Sequence, residues 1–316
     1  MLNISTLHKT ILHTVLTIVM AHYLIACTIP PVLTGNKPTL PPSQLNVAQV
    51  VLISIDGLRP DAINRDNAPH IYQMLQNGHY YTHARTVGRS LTLPSHASML
   101  SGLPVSIHQV TKNKPIKGHI KSATLPSILA KYDMKSAAFF SKKKMAYLFP
   151  PAKTAYQFGP GVSGLEEEDT TAVQIAREFN LMWSSDTYAF SFIHIREPDR
   201  SGHAYGWMSD DYMNRAIPAA DDAVGAILKT IKKSRRGHQT LMIITADHGG
   251  KDNSHWYSRD EDLPIPWIAS HPQLSSHNYS EEWVSTLDTT PTILYLLGLP
   301  IPDELGGKIV EGFRPK

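Results

Sequence analysis

The sequence predicts an α/β fold, a doubly wound, mostly parallel sheet with helices on both faces. Three observations lead there. The runs VVLISI (50–55), YAFSFIHI (188–195) and TLMIITA (240–246) are continuously apolar and rich in β-branched or aromatic residues. That composition suits strands buried on both faces rather than on one. Segments of helical periodicity lie between these runs, so strand and helix alternate along the chain. Each run also leads directly into acidic and histidine residues. In open parallel sheets, ligand-binding side chains gather beyond the carboxyl ends of the strands.

The elements follow in order. After the strand at 50–55, PHIYQMLQNG reads as a helix over 69–78 that enters on Pro69 and stops at Gly78. PSHASML begins a second helix with Pro94 in its first turn and Thr92 just ahead of it. TLPSILAKYD (124–133) reads as helix and KSAAFF (135–140) as strand. TAVQIAREFNLM (171–182) is helical and leads to the strand at 188–195. The stretch 211–233 predicts one long helix kinked at Pro218. A short strand is expected at 265–270, and LDTTPTILYLLGL (287–299) as a last helix with Pro in its first turn. No internal repeat is visible.

The bulk properties fit one large domain. The chain has 316 residues, 42% hydrophobic and 18% charged, which is ordinary globular composition. The net charge of +3 leaves no reason to expect nucleic-acid binding. The basic runs SKKKM (141–145) and KTIKKSRR (229–236) read as solvated faces. The amino terminus is different. A polar start carrying Lys9 precedes a 16-residue apolar run, 11–26, interrupted by His13 and His22. A bilayer span takes about 20 residues, so 1–26 is expected to be a signal peptide. LIAC (24–27) resembles a bacterial lipobox, with lipidation expected on Cys27, the only cysteine of the chain. A Pro-rich tether then spans 27–48, and the catalytic domain 49–316. The protein is therefore expected on the periplasmic face of the bacterial cell envelope, held to a membrane by its lipid. With no cysteine left, the exported domain has no disulfide.

The chemistry concentrates at the three strand ends. The first strand ends at Asp56. The second runs into REPDRSGH, with Asp199 and His203. The third ends in DHGGKDNSH, with Asp247, His248 and His255. Carboxylate and imidazole suit zinc and its neighbours among divalent ions. His255 has competitors downstream in His271 and His277. The stretch RSLTLPSHASMLSG (89–102) carries five hydroxyls. Thr92 sits where a helix begins, facing the positive end of the dipole and free N–H groups. It becomes a plausible nucleophile only with a metal ion beside it, because metal contact shifts hydroxyl acidity far more than a dipole does. Ser98 and Ser101 read as structural, Ser90 as a turn residue.

ISIDG, SLTLPSH, EPDRSGH and TADHGG, in this order, resemble the alkaline phosphatase superfamily, and most of all its nucleotide pyrophosphatase/phosphodiesterase-like branch. The resemblance runs from about residue 50 onward and includes LDTTPTILYLLGLPIPDELGGKI near the carboxyl end. It implies two zinc ions, one held by Asp56, Asp247, His248 and Thr92, the other by Asp199, His203 and a further histidine, taken as His255. It also implies in-line displacement by Thr92 to give a phosphothreonine, with the Leu93 N–H and the Ser95 hydroxyl stabilising equatorial charge. Ser95 stands where the phosphodiesterases usually carry Asn, which leaves substrate class open. A formylglycine sulfatase is not expected, since Thr92 cannot be oxidised to an aldehyde and His96 replaces the Arg of that branch. The expected substrate is a small phosphodiester or pyrophosphate, the alternative a phosphate monoester. A non-catalytic metal-binding lipoprotein is the reading from another class.

Overall fold

The structure, a computed structural model, describes residues 43–314. The expected signal segment, Cys27 and the tether up to residue 42 lie outside the described residues. The expected strand at 50–55 is β1 (Gln49–Ile55), buried along its whole length. It is the centre of an eight-stranded sheet, flanked in parallel by β5 (Phe190–Ile195) and β6 (Thr240–Thr245), which are also fully buried. The register pairs Ile55 with Ile195 and Ser54 with Thr245. The three strands therefore end level, and the residues that follow them emerge side by side.

Outward from β5 come β3 (Ser136–Phe140) and β4 (Tyr156–Phe158), both parallel. Beyond β6 lie β7 (Trp267–Ser270), β2 (His79–Arg85) and β8 (His277–Ser285). β7 alone runs antiparallel to its neighbours β6 and β2, while β2 and β8 pair in parallel. The expected mostly parallel sheet is thus present, with one reversed strand. β2, β4 and β8 carry no continuous apolar signal. Tyr, His, Glu and Asn alternate along β2 and β8, and much of β8 is exposed.

The helices are α1 (Pro69–Asn77), α2 (Thr92–Ser101), the short α3 (Val105–His108) and α4 (Leu125–Leu129), α5 (Ala172–Ser185), α6 (Glu197–Tyr205), α7 (Ile217–Lys233) and α8 (Thr289–Leu296). α1 and α5 each pack on α7, and α2 packs on α8. The first N–H groups of α1 are capped from far along the chain. The Asp221 carboxylate accepts from the backbone of His70 (3.1 Å) and Ile71 (2.8 Å), offsetting the positive helix end. The long helix expected over 211–233 is divided. Tyr212–Ala216 forms a widened π turn, and α7 restarts at Ile217 with Pro218 in its first turn. Proline lacks an N–H and crowds the carbonyl four residues back, so a wider turn replaces the expected simple kink. Among the described residues, no helix is long and apolar enough to cross a membrane.

Candidate metal centre

β1 continues its ladder by one bond, Asp56 N–H to Ile195 C=O (2.8 Å), before turning at Gly57. Gly57 has φ +73°, and a Cβ there would lie 2.9 Å from the Asp199 Cα. Glycine is therefore required both by conformation and by close approach. The approach is made by α6, whose Asp199 N–H donates to the Asp56 carbonyl (3.0 Å). Segment 197–205 had carried no helix expectation. As a helix, it places Asp199 and His203 one turn apart, His203 Nε2 lying 3.4 Å from Asp199 Oδ1. At the end of β6, the Gly57 N–H donates to Asp247 Oδ1 (3.1 Å), which ties the first and third strand ends together.

The histidines are oriented by their far nitrogens. His248 Nδ1 donates to the Gly249 carbonyl (2.8 Å), and His203 Nδ1 to that of Asn253 (3.0 Å). His255 Nδ1 donates to the Ser90 carbonyl, while the Ser90 hydroxyl donates to the His255 carbonyl. Ser90 is thus a buried clamp on His255 and more than the turn residue expected from the sequence. The His248 and His255 rings stack at 3.6 Å. In each ring the remaining Nε2 is a lone pair turned towards carboxylates.

The result is a buried gathering of acceptors in which several atoms meet no donor. His248 Nε2 lies 3.4 Å from Asp56 Oδ1, 3.3 Å from Asp247 Oδ2 and 3.8 Å from Asp199 Oδ1. His255 Nε2 lies 3.7 Å from Asp199 Oδ1. Asp56 Oδ1, Asp199 Oδ1, Asp247 Oδ2, His248 Nε2 and Thr92 Oγ1 are all buried without a hydrogen-bond partner. Orphaned buried acceptors cost of order 1–3 kcal/mol each, and a cation among them removes that cost. Among the described residues, two overlapping groups have ligand atoms close enough for an ion, Asp56, Asp247 and His248 in one and Asp199, His248 and His255 in the other. The nitrogen and oxygen donors suit zinc. His203 borders the second group through Asp199.

His255, rather than His271 or His277, is the histidine brought to this cluster. His271 Nδ1 accepts from the Gln273 N–H (3.2 Å), and His277 packs against His79 and Tyr279 at the start of β8. Thr92 is the first residue of α2, after an extended Leu91. His96, one turn on, holds that end in place. Its Nδ1 donates to the Thr92 carbonyl and its Nε2 accepts from the Ser54 hydroxyl, both at 2.8 Å. Ser98 and Ser101 are structural, as expected, bonding to His108 and to the Ala97 carbonyl.

Two expectations require correction. The Ser95 hydroxyl does not point to the acceptor cluster. It donates to the Asp247 carbonyl (2.8 Å) and contacts Thr86 Oγ1 (2.7 Å), so its proton is committed to holding the loop. The Leu93 N–H meets a different side chain, Asn113, whose Oδ1 accepts from it at 3.0 Å. The basic run 141–145 is not a solvated face either. Only Lys143 is exposed; Lys142 is buried and Lys144 partly buried. Lys142 Nζ bridges Asp56 Oδ2 (2.7 Å) and Asp199 Oδ2, and His194 Nε2 donates to the same Asp56 oxygen (2.9 Å). One oxygen of each carboxylate is therefore held by a donor, which leaves the other free. Lys144 Nζ donates to Asn113 Oδ1 (3.1 Å).

The electrostatics follow. Burial alone would raise the Asp56 carboxyl, but Lys142, His194 and His248 hold it well below its ordinary range. Asp199 is also held low, since Lys142 and His203 outweigh burial and the Asp56 charge. Burial and then Asp56 push Asp247 well above the usual carboxylate range. Burial lowers His248 and takes His255 down to about 3, so both rings are neutral and free to bind a cation. Burial, then the charge of Lys142, lowers Lys144.

Known proteins share this frame. Murine ectonucleotide pyrophosphatase/phosphodiesterase 5 superposes with a TM-score of 0.66 over 80% of this chain and 96% of its own, at 14% identity. A 2-O GAG sulfatase superposes with a TM-score of 0.70 over 85% of this chain and 74% of its own, at 16% identity. Such likeness speaks for an alkaline-phosphatase-like fold. In sequence, the bis(5'-adenosyl)-triphosphatase enpp4 of Xenopus laevis is 26% identical over 226 residues, 66% of this chain and 48% of the relative. The chain thus spans about half the length of the curated relatives it matches. The sequence profile described as type I phosphodiesterase / nucleotide pyrophosphatase matches residues 50–271, from the first buried strand to the end of β7. Since that span takes in the whole acceptor cluster, the chain belongs to the type I phosphodiesterase/nucleotide pyrophosphatase family.

Proposed function

We propose that the protein is an exported two-metal phosphohydrolase that cleaves phosphodiester or pyrophosphate bonds of small substrates through a phosphothreonine on Thr92. The observation that carries this reading is the set of orphaned buried atoms, in which Thr92 Oγ1 stands with Asp56, Asp199, Asp247 and His248. Asp56, Asp247, His248 and Thr92 would hold one ion, and Asp199, His203 and His255 the other. Bound there, divalent ions most consistent with zinc supply charge neutralisation and raise the acidity of the hydroxyl.

The chain's own residues account for the rest. Thr92 opens α2, so its hydroxyl attacks phosphorus at the positive end of the helix. The Leu93 N–H lies at the next peptide and stabilises a non-bridging oxygen. Asn113 Oδ1, which accepts from that N–H, would give the bond up to the incoming oxygen. The ester or anhydride oxygen departs in line and takes up the proton that the hydroxyl gives up, leaving the phosphoryl group with its second substituent on Thr92; water then releases that substituted phosphate and restores the hydroxyl. The Ser90–His255 clamp and the His96 bonds keep the machinery rigid. Lys144 favours a second reading, phosphate monoester hydrolysis, because it brings a cation near the helix start. Export and a lipid anchor on Cys27 rest on residues 11–27 of the sequence.

Thr92→Ala tests the reading. In zinc-loaded protein it should lose roughly 1,000-fold or more of turnover of a chromogenic phosphodiester, with no phosphoenzyme trapped on denaturation and zinc content unchanged. Full activity would refute Thr92 as nucleophile. Zinc binding without turnover by the unmodified protein would leave the non-catalytic lipoprotein.

A further inference from the structure

One buried cation at the carboxyl edge of the sheet has donors to spare. Arg196 follows β5, and the register that pairs Ile55 with Ile195 sets it level with Asp56 on the neighbouring strand. It is 5% exposed. Among the described residues its guanidinium meets one carboxylate, with Nη1 3.7 Å from Glu167 Oε2, and Nη2 is buried without a partner. A guanidinium is always charged and carries five N–H donors. Buried polar groups are nearly always satisfied, so one left unsatisfied points to a ligand. A strong arginine–carboxylate pair is bidentate, and Glu167 is not placed for that, because its Oε1 accepts from the Lys143 N–H (2.6 Å).

Glu167 belongs to an acidic loop, 166–169, in which Glu166, Glu168 and Asp169 are exposed and Glu167 alone turns inward. A phosphate in the place of its carboxylate has more oxygens to offer, enough to meet the Lys143 N–H and both arms of the arginine fork. This seat faces away from the acceptor cluster. Lys142 turns to the carboxylates of Asp56 and Asp199, whereas the Lys143 N–H and Arg196 turn to the loop. It therefore suits a group attached to the reacting phosphorus rather than that phosphorus itself. In a pyrophosphate the bridging oxygen departs with a second phosphate, whose growing charge a guanidinium stabilises. Resting on the proposed attack by Thr92, we infer that Arg196 and the Lys143 N–H seat the leaving phosphate of a pyrophosphate-type substrate. Glu167 fills that seat until the substrate displaces it.

The test uses zinc-loaded protein with Arg196→Met and Glu167→Gln, and two probes that deliver the same methyl phosphoryl group to Thr92. One is symmetrical dimethyl pyrophosphate, followed by phosphorus NMR, and the other methyl p-nitrophenyl phosphate. Arg196→Met should lower kcat/KM for the pyrophosphate by about 10- to 100-fold, the size expected for a charge-assisted bond. The fall for the ester should be at least about five times smaller. Glu167→Gln removes the competing charge and should lower KM for the pyrophosphate by about 3- to 10-fold, a gain that a merely structural ion pair would not give. Equal loss on both probes in Arg196→Met, or no loss on either, overturns the inference when zinc content and circular dichroism match the unmodified protein. Should that variant not fold, Glu167→Gln decides, and a KM for the pyrophosphate that is unchanged or raised overturns the inference. If the unmodified protein hydrolyses neither probe, the proposed function falls instead. Calorimetric binding of dimethyl pyrophosphate and dimethyl phosphate then decides on Arg196. Weakening of the pyrophosphate about 10-fold more than dimethyl phosphate in Arg196→Met supports the seat, and equal weakening or no pyrophosphate binding overturns it.

Discussion

Replacing Lys142 with Met separates charge from packing at the centre of the site. The side chain is buried, its ammonium lies 2.7 Å from Asp56 Oδ2, and it also contacts Asp199 Oδ2. Burial by itself would lower its pKa, but Asp199, Asp56 and Asp247 keep it well above the ordinary lysine value and fully charged. At an effective dielectric near 20, a contact at 2.7 Å is worth about 6 kcal/mol before desolvation. Breaking such a buried arrangement by removing one partner costs about 3–5 kcal/mol net. Met has similar volume, so little of this is a cavity term. Protein stripped with a chelator should therefore lose about 3–5 kcal/mol in urea unfolding on Lys142→Met. In saturating zinc the carboxylates have another counter-charge, and removal of a neighbouring cation tightens metal binding, which adds native-state stability. The loss there should be no more than about half as large. Equal losses in the two conditions would show that Lys142 acts by packing, and the charge argument would fail.

The other expectations concern histidines. His255→Ala should reduce bound zinc from two ions per chain towards one in elemental analysis after dialysis, whereas His277→Ala should leave it unchanged; unchanged zinc in His255→Ala would remove His255 from the site. His108 gives a pH effect of definite sign. It is buried, its Nε2 donates to Ser98 Oγ (2.8 Å), and its Nδ1 accepts from the Val110 N–H (3.0 Å), and burial lowers its pKa from 6.5 to about 4. Between those values the unfolded chain binds a proton that the folded one does not. Its contribution is therefore complete above pH 6.5 and is lost as pH falls towards 4. At about 1.4 kcal/mol per pKa unit this amounts to at most about 3.5 kcal/mol. The stability gap between the unmodified protein and His108→Gln should narrow by up to that amount between pH 7 and 4.5; a gap constant with pH would mean that the ring is not held neutral.

The sheet's centre was legible because β1, β5 and β6 are covered on both faces, which forces an unbroken apolar run. The gathering of carboxylates was legible for a related reason. Asp56, Asp199 and Asp247 follow strands that end level, so local sequence already states where they stand. The edge strands β2 and β8 were not legible, since half-solvated pairs such as His83 stacked on Trp283 leave no apolar run to read. Lys142 and Lys144 were hidden by a different cause. A run of lysines is buried only when carboxylates from other strands compensate it, and those partners lie 57 and more residues away from Lys142. Asn113 likewise acquires meaning only through Leu93, 20 residues earlier.

The choice among His255, His271 and His277 turns on the direction of one strand. β6 is parallel to β1, and β7 runs antiparallel to β6. A residue just past the end of β7 is therefore carried to the edge of the sheet where β1 begins, away from Asp56 and Asp247. His271 stands there, the residue directly after β7. β8 is parallel to β2, itself antiparallel to β7, so its first residue, His277, starts at that same edge and meets His79 at the start of β2, 6.4 Å away. His255 precedes β7 and has not yet made the crossing, which leaves it beside Asp199. Spacing in sequence could not distinguish the three, because each lies within 30 residues of Asp247. The orientation of β7 does, and it does so through the backbone alone: a strand running the other way would have delivered His271 to the carboxyl edge and made it the nearer competitor.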